Sequence, residues 1–139
     1  MLDLSENKLS GFIPDWIGTM KELQILSLRK NQFFGSLPLK VCFLRNIQFL
    51  DLSLNNFSGK IPKCINNLKS MAETISANVD FHLYWLNSLM SMQYYLNAWL
   101  TWKGSEQMFM SKGLTLLKSI DLSSNQFSEE IPIEIEKLC

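Results

Sequence analysis

The sequence has little histidine and cysteine and no excess of either charge, and each shortage excludes a class of protein. One histidine, His82, and three cysteines occur in 139 residues, and no spacing among them fits a zinc site. Thirteen basic and thirteen acidic residues cancel, so no charge excess points to nucleic acid or to an anionic membrane face. Kinase signatures, phosphate-binding glycine loops and nucleophile elbows are missing. The sequence therefore predicts a protein that is not an enzyme and holds no metal or cofactor.

Segments that direct a protein to a membrane or hold it there are also missing. The start of the chain has no basic region followed by an apolar one, so we expect no signal peptide. Residues 79–102 are long enough to span a bilayer, but polar and ionisable side chains are scattered through them. A single aspartate at the centre of a span costs ~3 kcal/mol. We therefore expect no transmembrane segment in this chain.

One phrase, by contrast, occurs four times. Its copies are Leu2–Pro14, Leu26–Pro38, Leu50–Pro62 and Ile120–Pro132. The asparagines of the first three copies are 24 residues apart, and that of the fourth follows 70 residues later. Repetition at such a period predicts stacked coils and not a closed globule. The longer gap predicts that an insertion of about two coil lengths interrupts the array.

The residue types of this phrase have a physical meaning. Alternating leucines share one face of a short strand, and identical strands of successive coils pair in parallel about 4.8 Å apart. The asparagine follows where the chain bends inward, and its amide can satisfy backbone groups left unpaired there. We therefore predict a ladder of these amides: Asn7, Asn31, Asn55 and Asn125. After each Ile-Pro or Leu-Pro, apolar spacing predicts a short helical return segment, with Trp16 half-buried in the first.

The glycine of the phrase suits a backbone position with positive φ. The fourth copy has Glu129 at this position. A residue with a side chain costs about 1 kcal/mol in that conformation. We therefore expect Glu129 to strain the last coil.

These motifs resemble the plant-specific leucine-rich repeat, whose Ser-Gly-x-Ile-Pro half is usually missing from cytosolic repeats. Plant extracellular receptor kinases, receptor-like proteins and polygalacturonase inhibitors share it. The resemblance implies an α/β solenoid with short parallel strands on its concave face, interrupted by a non-repeat island. We predict repeats over 1–71, an island over 72–113 and a truncated repeat over 114–139. Because the array starts and stops in mid-pattern without polar caps, we interpret the chain as a fragment of a longer array or a truncated gene product.

Outward-facing residues of the strands line the concave face, which is the usual binding surface of a solenoid. The predicted outward positions are Asp3, Ser5, Glu6, Gln24, Ser27, Arg29, Lys30, Gln48, Asp51, Ser53, Leu54, Lys118, Asp121, Ser123 and Ser124. Among them we predict four ligand or partner contacts: Arg29, Lys30, Asp51 and Ser53. The alternative is that each is a solvated polar residue without a partner.

Two modifications are predicted in the repeats. Cys42 and Cys64 lie in the return segments of neighbouring coils, whose spacing of about 5 Å suits a disulfide, although their offsets from the coil asparagine differ by two residues. Receptor-like proteins have a similar cysteine pair before their island, so we predict a Cys42–Cys64 disulfide, with two small buried thiols as the alternative. Cys139 is left over. Asn56 begins the sequon Asn-Phe-Ser and is a predicted glycosylation site, with an unmodified turn residue as the alternative.

The island is rich in aromatic residues and methionine. Phe81 to Trp99 contain apolar residues at helical spacing, while Ala98–Gly104 fit a strand that enters a turn equally well. We predict a helical first half and a strand-turn-strand second half. The Leu-Thr-Trp-Lys-Gly segment resembles the island end of plant receptor-like proteins that sense microbial elicitors, although Ser88 replaces a lysine of those islands. The resemblance implies partner contacts at Tyr94, Trp102, Lys103 and Gly104. A small satellite core is the alternative.

The resemblance also implies a function. The chain would be a ligand-binding ectodomain segment of a plant receptor-like protein in defence or developmental signalling, on the extracellular side of the plasma membrane. It would bind a peptide or protein and recruit a receptor kinase co-receptor. Two alternatives are an extracellular inhibitor of a cell-wall-degrading enzyme, a class that lacks an island, and a non-functional receptor remnant. On the first hypothesis, Lys103→Ala reduces capture of the co-receptor without changing folding.

Overall fold

A computed structural model describes residues 1–72, 98–102, 105–109 and 118–138, in which the repeats are stacked coils. The chain divides into two compact units. The first combines Met1–Glu73 with Lys118–Cys139, and the second is Thr74–Leu117. The strands of the described residues, in chain order, are β1 (Leu2–Asp3), β2 (Ser10–Gly11), β3 (Ile25–Ser27), β4 (Gln32–Gly35), β5 (Phe49–Asp51), β6 (Asn56–Gly59), β7 (Ala98–Trp102), β8 (Ser105–Phe109), β9 (Ser119–Asp121) and β10 (Gln126–Phe127).

The first unit contains the parallel sheet that the repeat predicts and a second parallel sheet that was not predicted from the sequence. Strands β1, β3, β5 and β9 form the first sheet in that order, and β2, β4, β6 and β10 form the second. The fourth coil pairs directly with the third, because Leu50 of β5 lies opposite Ile120 of β9. The residues between β5 and β9 in sequence therefore interrupt the series of repeats without interrupting the sheet.

The core follows from the register of the first sheet. Leu2, Leu26, Leu50 and Ile120 lie opposite one another in successive strands, and the two central leucines are fully buried. Beneath the second sheet, the rings of Phe33, Phe57 and Phe127 form a stack with centroids 6.2 and 6.4 Å apart. Each column takes one side chain from each coil that contributes to it, so a single coil has no complete core of its own.

The return segments are 3₁₀ helices. They span Asp15–Thr19, Leu39–Phe43, Lys63–Asn67 and Ile133–Leu138, and one α-helical turn, Lys69–Ala72, follows the third. Each 3₁₀ helix begins directly after the proline of its repeat, where a residue without an N–H group is tolerated. The expectation for Trp16 was wrong. Its side chain is 59% exposed, because the next residue, Ile17, is the one that faces the core.

The second unit contains an antiparallel hairpin among its described residues. Strands β7 and β8 pair from Ala98 opposite Phe109 to Trp102 opposite Ser105, which confirms the two predicted strands, while the predicted turn at residues 103–104 lies outside the described residues. The predicted helical first half of the island lies outside the described residues. Over the described ranges, no helix is long and apolar enough to cross a membrane.

Candidate binding surface on the first sheet

The ladder asparagines hold the coils together at the end of the first sheet. In each of the second, third and fourth coils the amide nitrogen donates to three backbone carbonyls, and the amide oxygen accepts from one N–H group of the preceding coil. For Asn55 the partners are the carbonyls of Leu28, Leu52 and Ser53, at 2.9–3.1 Å, and the N–H of Phe33, at 3.1 Å. Asn7 makes only two local bonds, to the carbonyls of Leu4 and Ser5.

An Asp-Leu-Ser sequence ends three of the four strands of this sheet in the same way. Asp51 Oδ1 accepts hydrogen bonds from the backbone N–H of Ser53, at 2.9 Å, and from its hydroxyl, at 2.6 Å. Asp3 makes the same two contacts with Ser5. Asp121 accepts from the N–H of Ser123. The serine therefore fixes both the carboxylate and the turn after the strand.

The second coil departs from this sequence and joins its neighbour. It has Ser27 and Arg29 where the other coils have aspartate and serine. Arg29 Nη1 donates to the Ser53 hydroxyl oxygen at 2.7 Å, and this hydroxyl in turn donates to Asp51. A polar chain therefore runs from the guanidinium of one coil to the carboxylate of the next.

Burial raises the pKa of Asp51 above its usual range. The neighbouring carboxylate of Asp121 raises the pKa further, while the hydrogen bonds from Ser53 and the charge of Arg29 lower it. Desolvation is the larger effect, since a buried carboxylate loses its water. This carboxyl group therefore binds a proton more readily in the folded chain than in the unfolded one.

Two of the four predicted contacts in the repeats are inaccessible. Asp51 is 1% exposed and Ser53 is 0% exposed, so this structure presents neither to a partner. Their role is internal, because they hold the turn and the Arg29 side chain. The outward direction predicted from strand alternation did not guarantee exposure.

Lys30 is different, because it belongs to an exposed row at the end of the first sheet. We call this set the edge row: Glu6, Lys30, Leu54 and Ser124. All four have positive φ, 54–55°, and all are exposed. In the first three coils the backbone N–H of the row residue donates to a carbonyl of the next coil, at 2.9–3.0 Å. Lys30 Nζ lies 3.2 Å from the Glu6 carboxylate, so the row begins with an exposed ion pair.

On the opposite part of each coil, Cys42 and Cys64 are joined by a disulfide, with Cα atoms 5.7 Å apart. Their separation of 22 residues equals the register of the second sheet, where Phe34 lies opposite Asn56. The two-residue offset noted in the sequence is therefore the slant between neighbouring coils on this side. Gly18 and Lys40, also 22 residues apart, approach closely in the preceding coils.

Comparisons with known proteins agree with this geometry. A model of the Leucine Rich Repeat family matches residues 1–20, 46–68 and 116–138. Receptor-like protein EIX2 of Solanum lycopersicum is 42% identical over 141 residues, which cover 99% of this chain. The chain contains leucine-rich repeats and is similar to the leucine-rich-repeat receptor-like proteins of plants. It spans 14% of the length of this relative.

Solved leucine-rich-repeat ectodomains have a similar fold. The BIR3–SERK2 complex of Arabidopsis thaliana matches with a TM-score of 0.60 and 25% identity, over 96% of this chain and 47% of the solved one. The plant peptide hormone receptor RGFR1, in complex with RGF2, matches with a TM-score of 0.55 and 26% identity, over 96% and 18%. The fold is therefore that of plant receptor ectodomains.

The other predicted site residues of this chain are placed as follows. Asn56 lies in β6 with its side chain exposed. Trp102 ends β7, and Tyr94, Lys103 and Gly104 lie outside the described residues. Sequence reasoning missed two exposed phenylalanines, Phe12 and Phe34, beside the second sheet. The sequence signal for Phe34 is a second aromatic residue next to the core position, as in Phe33-Phe34, and Phe12 has no such signal.

Proposed function

We propose that this chain is a ligand-binding segment of the ectodomain of a plant cell-surface receptor-like protein, acting in defence or developmental signalling on the extracellular side of the plasma membrane. It binds a peptide or protein and takes part in recruiting a receptor kinase co-receptor. The observation that supports this most directly is the edge row, which presents one exposed side chain per coil at a fixed backbone geometry.

The edge row suits an extended peptide or a protein edge. Neighbouring strands of a sheet lie about 4.8 Å apart, so a ligand laid across the coils meets a different side chain at each step. The ladder asparagines and the Asp-Leu-Ser turns hold the backbone beneath the row, which lowers the ordering cost of binding. The row also differs chemically from coil to coil: acidic, basic, apolar and hydroxyl.

The named relatives favour a receptor over an inhibitor. EIX2 is a receptor-like protein, RGFR1 is a peptide hormone receptor in complex with RGF2, and BIR3 is in complex with SERK2. We therefore rank the receptor segment above the inhibitor of a cell-wall-degrading enzyme. The island contacts Tyr94, Trp102, Lys103 and Gly104 stay predictions, with Lys103→Ala as their test.

A binding measurement with a charge-reversed edge row tests this function. The purified SERK2 ectodomain is the probe, and its affinity for the immobilised chain is measured by biolayer interferometry. We expect Lys30→Glu to weaken binding about tenfold, which corresponds to about 1.4 kcal/mol, since it replaces the ion pair with Glu6 by repulsion at the proposed contact. The matched control is Lys60→Glu, because Lys60 is also exposed and paired, 3.8 Å from Glu129.

Two outcomes contradict the proposal. If the wild-type chain does not bind the probe, co-receptor recruitment by this chain is wrong. If both variants weaken binding equally, the effect is one of net charge, and the edge row is not the contact. Both variants keep a similar far-UV circular dichroism spectrum if the substitutions act only at the surface.

A further inference from the structure

An exposed aromatic pair lies beside the second sheet. The ring centroids of Phe12 and Phe34 are 4.8 Å apart with an interplanar angle of 61°, and the residues are 67% and 43% exposed. The backbone of Gly35 makes room for this pair, because a Cβ atom there would overlap the Phe12 ring. Apolar surface held in a defined arrangement and left open to water indicates a contact that the described residues do not supply.

Asn56 is the neighbour of this aromatic pair on the same sheet. Phe34 of β4 lies opposite Asn56 of β6 in parallel register. Both side chains face outward, because the adjacent residues Phe33 and Phe57 are buried in the core. Paired strands are about 4.8 Å apart, so a group attached to the Asn56 side chain lies within reach of the Phe34 ring.

The Asn56 amide is oriented by a hydrogen bond from the fourth coil. Gln126 Nε2 donates to Asn56 Oδ1 at 3.0 Å. This bond uses the amide oxygen and leaves the nitrogen, which is the atom that an N-linked sugar occupies. Residues Asn56-Phe57-Ser58 are a sequon, and the Gln126 contact is retained when the nitrogen is substituted.

We infer that Asn56 carries an N-linked glycan whose first sugar packs on the aromatic pair of Phe12 and Phe34. In the modification Nδ2 of Asn56 bonds to C1 of the sugar, the bond from C1 to the lipid pyrophosphate of the donor breaks, and one amide proton is released. The C–H groups on one face of a pyranose carry small positive partial charges, and they suit the negative face of an aromatic ring. The inference rests on the extracellular placement in the proposed function.

A position for the glycan follows. It covers the outward side of the second sheet in the third coil, next to the exposed rings of the first and second coils. The edge row lies in the turns that follow the strands of the first sheet, and its residue in the third coil, Leu54, is two residues before Asn56. The sugar therefore protects apolar surface on the outward side of the second sheet.

The experiment compares six secreted forms of the chain: with and without the sugar in the wild-type, Phe34→Ser and Phe43→Ser backgrounds. The chain is produced in cells that attach high-mannose glycans and is trimmed with endoglycosidase H, so that one sugar remains. The sugar-free reference is Ser58→Ala, which destroys the sequon and keeps the Asn56 side chain. The Tm of each form is measured by differential scanning fluorimetry. The matched control is Phe43→Ser, since Phe43 is similarly exposed, at 49%, in a 3₁₀ helix.

We expect peptide mass spectrometry to find one N-acetylhexosamine on Asn56, and the sugar to raise Tm by about 2–4 °C. This increment disappears with Phe34→Ser and persists with Phe43→Ser. If Phe34→Ser does not fold, nuclear Overhauser contacts between sugar protons and the Phe34 ring in the wild-type chain replace that comparison. The inference is overturned if Asn56 is unmodified, if the Tm increment is equal with Phe34 and with Phe34→Ser, or if the contacts between the sugar and the Phe34 ring are missing. A glycosylated chain that fails to bind SERK2 contradicts only the proposed function.

Discussion

The asparagine ladder makes the sharpest prediction about stability, because one residue type occupies two different environments. Asn55 is buried and makes four hydrogen bonds, whereas Asn7 is exposed and makes two local ones. At about 1 kcal/mol per net bond, Asn55→Ala costs about 3–5 kcal/mol, and Asn7→Ala costs about 1 kcal/mol or less. The first value is a large part of the stability of a small domain.

The individual partners explain why the larger estimate is not higher. The three carbonyls that lose Asn55 keep other donors: Asn31 for Leu28, Asn125 for Leu52 and the N–H of Lys30 for Ser53. The N–H of Phe33 loses its side-chain acceptor in a buried position, where an unsatisfied donor costs about 1–3 kcal/mol. The loss of the four bonds therefore leaves one severe defect and three mild ones.

Urea denaturation followed by tryptophan fluorescence measures both variants against the wild-type chain. Asn55→Asp is a third variant, which keeps an acceptor for Phe33 but points a carboxylate at three carbonyls, and we expect it to be at least as unstable as Asn55→Ala. The ladder hypothesis is refuted if Asn55→Ala and Asn7→Ala lose equal stability within about 0.5 kcal/mol, the scatter of surface substitutions.

Three further predictions concern single positions. Gly18→Ala places a Cβ atom 2.5 Å from the Lys40 carbonyl oxygen, so we expect a loss of about 1–3 kcal/mol; a neutral result in urea contradicts the close packing of these return segments. Glu129→Gly relieves a positive φ of 68° and should gain about 1 kcal/mol of folding stability. Glu129→Ala loses the same ion pair with Lys60 but keeps a side chain at this φ, so it should gain nothing. The stability of Asp51→Asn relative to wild type should be highest at neutral pH. Because the pKa of Asp51 is raised in the folded chain, the wild-type carboxylate becomes less destabilising as pH falls through that pKa. A stability difference between the two proteins that does not vary with pH contradicts this.

Most of the fold of the repeats was predictable, because the same constraint applies to every coil. A leucine that lies opposite another leucine in a parallel strand pair must recur in register. The pairing of Leu26 with Leu50 therefore follows from the 24-residue period. The pairing of β5 with β9 across the island was predictable for the same reason. The hairpin of β7 and β8 was less so, since its sequence fits two periodicities equally well.

The candidate site was less predictable than the fold. Strand alternation gives the direction of a side chain but not its exposure, and Asp51 and Ser53 are buried although they alternate outward. A 24-residue period does not reveal the slant between coils. The 22-residue register that brings Cys42 and Cys64 together therefore could not be predicted from the sequence. The aromatic pair of Phe12 and Phe34 depends on the same slant.

If this array binds a ligand as proposed, its specificity depends on the positions at which its coils differ. The ladder asparagines are the same in each coil, and the aliphatic residues of the first sheet are nearly so, because each must fit an identical place in the stack. The edge row has nearly identical φ values in four coils but four different side chains, none of them glycine. A positive φ costs a residue with a side chain about 1 kcal/mol, and such costs persist where the surroundings fix the backbone. If the row were only a turn, glycine would remove this cost in every coil. Four distinct side chains at one fixed geometry therefore support a surface whose chemistry is set by a partner.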